Sequence, residues 1–234
     1  MIKTILEKNP NPDFDTILEE NSHLNIKGPR KKIDPMMSFF FALIAYQLIY
    51  GYSWGLEIIH QYESNLSTVA KRNAISPVNK KVSLLASMCV GFILNFLISI
   101  VTMIIFNKIL GVDFSENLAE LLLITGIGAL CGVSLGMLIG SSNKANIEIK
   151  SAIGLALSLL MSFLAGMMVS SVKVMIAENS PIINKLNPVA LISDGIYSLY
   201  YYDSFDRFYN NIAWLLAVTS FFIVLTYISV SYTH

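Results

Sequence analysis

The side chains that could do chemistry are concentrated in one polar passage, QYESNLSTVAKRNAISPVNKK at residues 61–81, which lies between two long apolar runs. It holds Glu63, Thr68, Lys71, Arg72, Lys80 and Lys81 around a Ser76-Pro77 corner. Charge in that density suits docking on lipid or on another protein. It does not make a catalytic set. No Gly-x-x-x-x-Gly-Lys-Ser/Thr loop is present to cradle phosphate, and no His-Glu-x-x-His pair to hold zinc. The three histidines stand at 23, 60 and 234, and His60, at a membrane boundary, reads as an interfacial residue. No nucleophile motif marks a hydrolase. Cys89 and Cys131 both lie inside apolar runs, where they act as small hydrophobes, so neither a disulfide framework nor a metal site follows. The chain is expected to be no enzyme and to hold no cofactor or metal of its own.

The elements that must position the polar passage follow from composition. Of 234 residues, 54% are hydrophobic and only 14% charged, and the mean hydropathy is +0.60. That is too apolar for a water-wetted domain and places the chain in a bilayer. Sixteen basic and sixteen acidic residues cancel, so no net field would recruit nucleic acid. No cleavable signal peptide is expected, because the first apolar run starts near Met36 behind a polar leader with Pro10 and Pro12.

A membrane-crossing helix needs about 20 apolar residues to cover roughly 30 Å of hydrocarbon. Five segments meet that length: 36–59, 82–106, 118–142, 151–172 and 212–232. They are apolar on both faces rather than alternating in ten-residue strands, which excludes a barrel. The expectation is an all-α polytopic membrane protein. Residues 107–117 and 143–150 are short connectors that set neighbouring helices antiparallel. Residues 173–209 are half-apolar, are interrupted by Pro181 and Asn187-Pro188, and carry Tyr197, Tyr200, Tyr201 and Tyr202. Too short to span twice, they predict a re-entrant or interfacial helical hairpin, with the tyrosines at the boundary layer.

The polar passage itself continues the first span as an amphipathic helix. Ile58, Ile59, Tyr62, Leu66, Val69 and Ala70 recur at spacings of three and four, and Ser76-Pro77 stops the helix and starts the next. Within the spans, Gly128, Gly132, Gly136 and Gly140 repeat every fourth residue, as do Gly154, Ser158, Ser162, Gly166 and Ser170. Both sets predict close helix packing. Gln47, Asn95, Ser99 and Thr102 are the sparse polar residues of the spans, facing either a path or another helix. Glu57 and Asp194 need pairing or water, and helix capping or backbone amides would supply it.

Glu63, Thr68, Arg72 and Ser76-Pro77-Val78, followed by Lys80-Lys81 and a second span, resemble the coupling region of type-2 ATP-binding-cassette (ABC-2) exporter permeases. Ser67 stands where many relatives have Gly. LNPVALISDGIYSLYYYD is similar to that family's Asn-Pro element and its Asp-containing helix between the last two spans. The resemblance covers about residues 34–232. It implies that residues 60–81 form a cytoplasmic coupling helix, with Glu63, Thr68, Lys71, Arg72 and Pro77 transmitting the motion of a separate ATPase subunit that binds ATP and Mg. It implies a second permease subunit, homo- or heterodimeric, and a path or outer gate near Gln47, Asn95, Asn187, Pro188 and Asp194. It also implies that residues 35–234 are the transmembrane domain and that 1–34 end an external domain whose preceding span is absent. The N-terminus is then outside, although ten basic residues against six favour the reverse under the positive-inside rule. Lys-, Ile- and Asn-rich usage suits a bacterial plasma membrane. The rival expectation is a scaffold or ion-coupled carrier that needs no ATPase.

Overall fold

A computed structural model describes residues 35–62, 80–114, 117–142 and 145–232. Among these residues the chain is helical and has no strand, as a bilayer demands of a segment that must satisfy its own backbone. The helices are α1 (Pro35–Tyr50), α2 (Tyr52–Tyr62), α3 (Lys80–Leu110), α4 (Leu118–Ser142), α5 (Ile147–Leu164), α6 (Ser170–Asn179), α7 (Pro181–Leu186), α8 (Pro188–Tyr201) and α9 (Asp206–Tyr232). Five stretches are long and apolar enough to cross a membrane: α1 with α2, then α3, α4, α5 and α9.

The spans alternate in direction. Phe40 packs on Phe106 at one end, and at the other the Ile59 side chain lies against Gly140 while Ser229 donates to the Ser141 carbonyl at 2.7 Å. The ends of α2, α4 and α9 and the start of α5 therefore gather at one end of the bundle. The 165–205 segment lies at the opposite end. α4 is the central strut, with 67% of its apolar window buried, against 22% for α3 and 22% for α5. On α3 the exposed side is aliphatic, including Leu85, Val90, Ile93, Leu97, Val101 and Ile104, which suits lipid.

Three boundaries differ from the sequence expectation. The first span is not one straight helix: at Gly51 the bonding tightens to three-residue steps, Gly51 N–H to Leu48 O at 3.2 Å and Trp54 N–H to Gly51 O at 3.1 Å. The fourth span runs Ile147–Leu164, not 151–172. It stops because Ala165 and Gly166 form a Schellman cap, with Met167 N–H on Ser162 O at 3.1 Å and Gly166 N–H on Phe163 O at 3.0 Å. Gly166, at φ 84°, supplies the left-handed residue this cap needs, so it is a helix stop and not a member of the packing set. The last span starts at Asp206 rather than 212, because Arg207 and Asn211 find a carboxylate partner there.

The expected hairpin is realised as α6, α7 and α8, but α8 is more than interfacial. Val189, Ile192 and Ile196 are fully buried, packed with α1, α4 and α9. Tyr201, expected at the boundary layer, is also fully buried.

Candidate functional site

The residues singled out from sequence fall into three places. Glu63, Thr68, Lys71, Arg72 and Pro77 lie outside the described residues. At the threshold of that passage Glu57 is exposed on α2 and accepts from Gln61 at 2.7 Å.

The second place is the seam of α1 and α2 with α4. Gly132 approaches the Leu48 carbonyl and Gly136 the Tyr52 carbonyl so closely that a methyl group on either would overlap them. Gly55 returns the relationship by lying on the Val133 carbonyl. Gly128 faces Leu48 and Ile192, and Gly140 faces Ile59. The predicted small-residue set thus brings two backbones into direct contact over most of a span, with van der Waals contact in place of a hydrophobic drive between helices. Gly154 on α5 receives the ring of Tyr52. Tyr52 is therefore wedged between two helices, its backbone on α4 and its ring on α5.

Asn95 closes this seam. Its amide donates to the Leu48 carbonyl at 2.9 Å and the Ala129 carbonyl at 3.2 Å, so one side chain on α3 joins α1 and α4 beside the break at Gly51. At 2% exposure it faces other helices and not a path. Ser99 and Thr102 donate to carbonyls four residues back, as hydroxyls in lipid-embedded helices do. Gln47 is half-buried on α1, and its Oε1 is a buried acceptor without a hydrogen-bond partner among the described residues.

The third place is the base of α8. Asn187 accepts from Val189 N–H at 3.0 Å and Ala190 N–H at 3.3 Å, capping α8, and Pro188 occupies the first helical position, where its missing N–H costs nothing. The Asn187 amide also donates to the Met161 carbonyl at 2.7 Å, in the last turn of α5. Seven residues on, Asp194 is met by side chains and not by the backbone amides expected of it. Arg207 Nε and Nη2 reach its two oxygens at 2.8 and 2.5 Å, Asn211 donates at 2.9 Å, and Lys173 Nζ stands at 3.3 Å. Burial alone would raise the Asp194 pKa. The Arg207 hydrogen bonds, with Lys173 and Asn211, outweigh it and bring the value to about 2. Tyr197 lies under both cations, 5.2 Å from Lys173 and 5.7 Å from Arg207, and Tyr202 lies 5.6 Å from Arg207.

Sequence reading missed Lys173, Arg207, Asn211 and Lys150. Lys150 is fully buried and donates to the Gly140 carbonyl, so a cation on α5 caps the end of α4. For Arg207 a signal existed: a carboxylate in an apolar helix demands a cation, and Lys173, Lys185 and Arg207 stood in the flanking segments.

A helical bundle of five spans with a buried Asn-Pro helix before the last is the arrangement on which comparison with protein families bears. The family described as ABC-2 family transporter protein matches residues 1–228. The chain belongs to this ABC-2 transporter family. Comparison with curated proteins and with solved structures finds no match. As an ABC-2 transporter protein it is a membrane-embedded transport component, an ABC-type permease, and the two polar assemblies at Asn95 and Asp194 tie its helices together at different depths.

Proposed function

We propose that this ABC-2 permease exports a substrate, driven by a separate cytoplasmic ATPase subunit. The observation that carries the reading is the family match over 1–228 on a chain with five membrane-length helices. On this reading residues 60–81 face the cytoplasm, and Glu63, Thr68, Lys71, Arg72 and Pro77 receive the ATPase. The partner holds ATP and Mg, and a second permease subunit completes the conduit. The substrate leaves through the end occupied by α6, α7 and α8.

The packing supports a lever. Force arriving at the end of α2 meets a helix whose backbone lies directly on α4, with Gly55 on Val133 and Tyr52 on Gly136, so α2 cannot shift without carrying α4. α4 in turn contacts α9 and α8. ATP can drive the permease between two packings only through its different affinity for the two states of the ATPase.

The test is co-purification and reconstitution. The permease should retain its ATPase partner, and turnover of that ATPase should change when the two are placed in liposomes. R72E should weaken the association about tenfold, roughly 1.4 kcal/mol. A chain that transports without any ATPase overturns the reading in favour of an ion-coupled carrier or scaffold, and R72E with normal ATPase coupling removes Arg72 from the docking role.

A further inference from the structure

The buried residues of α5 are Lys150, Gly154, Ser158 and Ser162. Spaced four apart, they form one stripe along the helix. The large aliphatic side chains Ile149, Ile153, Leu159 and Leu160 are exposed instead, and Ile147, Leu157 and Met161 are half-buried against the core. Small residues let a neighbour come close, as the Tyr52 ring does at Gly154, but they offer no knob that fixes how far along its axis the helix sits. Lys150, four residues before Gly154, is the large member of the stripe.

A lysine near the end of a span ordinarily carries its ammonium out to water. Lys150 turns inward, is 0% exposed and donates to the Gly140 carbonyl. Gly140 is a junction. Ile59 of α2 packs on it, and the next carbonyl, of Ser141, accepts from Ser229 of α9 at 2.7 Å. The ends of α2, α4, α5 and α9 thus meet over two residues. A cation is favoured at the last turn of α4 and disfavoured in the first turn of α5, where Glu148 is the acidic residue, so the charge is placed for α4 and not for the helix that carries it.

We propose that Lys150 is the positioning residue that holds α5 in register with α2 and α4, so that the three helices shift together when this end of the bundle is pushed. Sliding α5 along its own axis would draw the ammonium off the Gly140 carbonyl and leave a buried charge, which is strongly penalised. Moving with the carbonyl avoids that cost. Because α2 lies backbone to backbone on α4, with Gly55 on Val133 and Tyr52 on Gly136, a push on α2 reaches α5 through Lys150. A second clip, Asn187 on the Met161 carbonyl, joins the other end of α5 to α8 and not to α2 or α4. α9 is tied to the junction by the neutral Ser229 hydroxyl, whose release strands no charge. The source of the push rests on the ATPase-driven reading above, while the register belongs to this chain alone.

The experiment uses the full chain in liposomes with native Cys89 replaced by Ser and spin labels at the exposed positions E57C on α2 and I153C on α5; Cys131 is buried and stays unlabelled. A second sample pairs E57C with V224C on α9, also exposed. Wild type should give one narrow distance for each pair. K150M should about double the width of the α2–α5 distribution and leave the α2–α9 one unchanged, and K150R, which keeps the cation, should bring back most of the narrow distance. K150M with the wild-type α2–α5 width overturns the proposal, and so does equal broadening of both pairs, which is general loosening of the bundle. With the co-purified ATPase bound and trapped with ATP and vanadate, the wild-type α2–α5 distance should stay constant, whereas in K150M it should change. A wild-type α2–α5 distance that changes on trapping overturns the proposal even where K150M does not fold. Failure of the transport reading shows separately, as the absence of a bound ATPase, and leaves the comparison of widths in the chain alone intact.

Discussion

The Asn95 amide on α3 lies 2.9 Å from the Leu48 carbonyl, at the point where the first span breaks, and 3.2 Å from the Ala129 carbonyl. A single side chain thus stitches three spans at the one place where α1 and α2 part from regular helical bonding. Asn is suited to this because its amide offers two N–H donors on one nitrogen. N95A should lower thermal stability in detergent by about 1 kcal/mol, the usual scale for interhelical hydrogen bonds in membranes. N95D should cost more, since it sets a carboxylate against two carbonyls. G51A should also destabilise, because a methyl at that position would overlap the Asn95 amide. Thermal unfolding of the three variants ranks them, and an N95D protein as stable as wild type would remove Asn95 from this role.

Glycines of α4 divide into two groups by what a methyl would meet. At Gly132 and Gly136 it would meet backbone carbonyls of the first span, which cannot rotate away, whereas at Gly126 the nearest atom is a Phe96 ring carbon at 3.8 Å. G132A and G136A should each cost about 1–3 kcal/mol by forcing the helices apart. G126A should be neutral or stabilise by up to about 1 kcal/mol through helix propensity. Parallel melts of the three proteins decide it, and equal effects at all three positions would mean that the seam is not a backbone contact.

The spans were legible because hydrocarbon leaves a long apolar helix no alternative, and the α4 glycine set because its four-residue spacing falls on one face of a helix. The same spacing misled at Gly166. Nothing in periodicity separates a glycine that packs from one that turns the chain, and the difference lies in the cap that Ser162 and Phe163 make with Met167 and Gly166. Lys150 falls at the end of the short connector expected at 143–150, yet it is fully buried and donates to the Gly140 carbonyl near the end of α4. Lys173, Asp194 and Arg207 belong to three different helices, and their meeting is a tertiary fact that local pattern does not encode. The expected docking residues 63, 68, 71, 72 and 77 lie outside the described residues and rest on resemblance.

Asp194 makes stability depend on pH at the acid end. Its folded pKa of about 2 lies below the ordinary 3.8, because Arg207, Lys173 and Asn211 overcome the effect of burial. The charged form is thus favoured by folding. The resulting contribution, of order 2 kcal/mol, is fully present above about pH 4 and is lost as pH falls toward 2. D194N should be less stable than wild type at pH 6, and the gap should narrow between pH 4 and pH 2. Paired thermal melts across that range provide the check, and a gap that stays constant with pH would show that the Arg207 pair does not hold Asp194 ionised.

Asn187 has two jobs that one substitution can separate. Its oxygen caps α8 through Val189 and Ala190, and its amide donates to the Met161 carbonyl of α5. N187A removes both and should cost about 2 kcal/mol, the upper part of the range for a lost helix cap. N187D keeps the capping oxygen and adds a charge that a helix N-terminus welcomes, so a residue acting only as a cap would tolerate it. With the clip in force, the second carboxylate oxygen instead faces the Met161 carbonyl at the position of a 2.7 Å hydrogen bond, and the repulsion pushes α8 from α5. N187D should therefore be at least as unstable as N187A, and proteolysis within residues 165–187 should quicken in both. An N187D protein that melts with wild type would reduce Asn187 to a cap and leave α5 and α8 joined by packing alone.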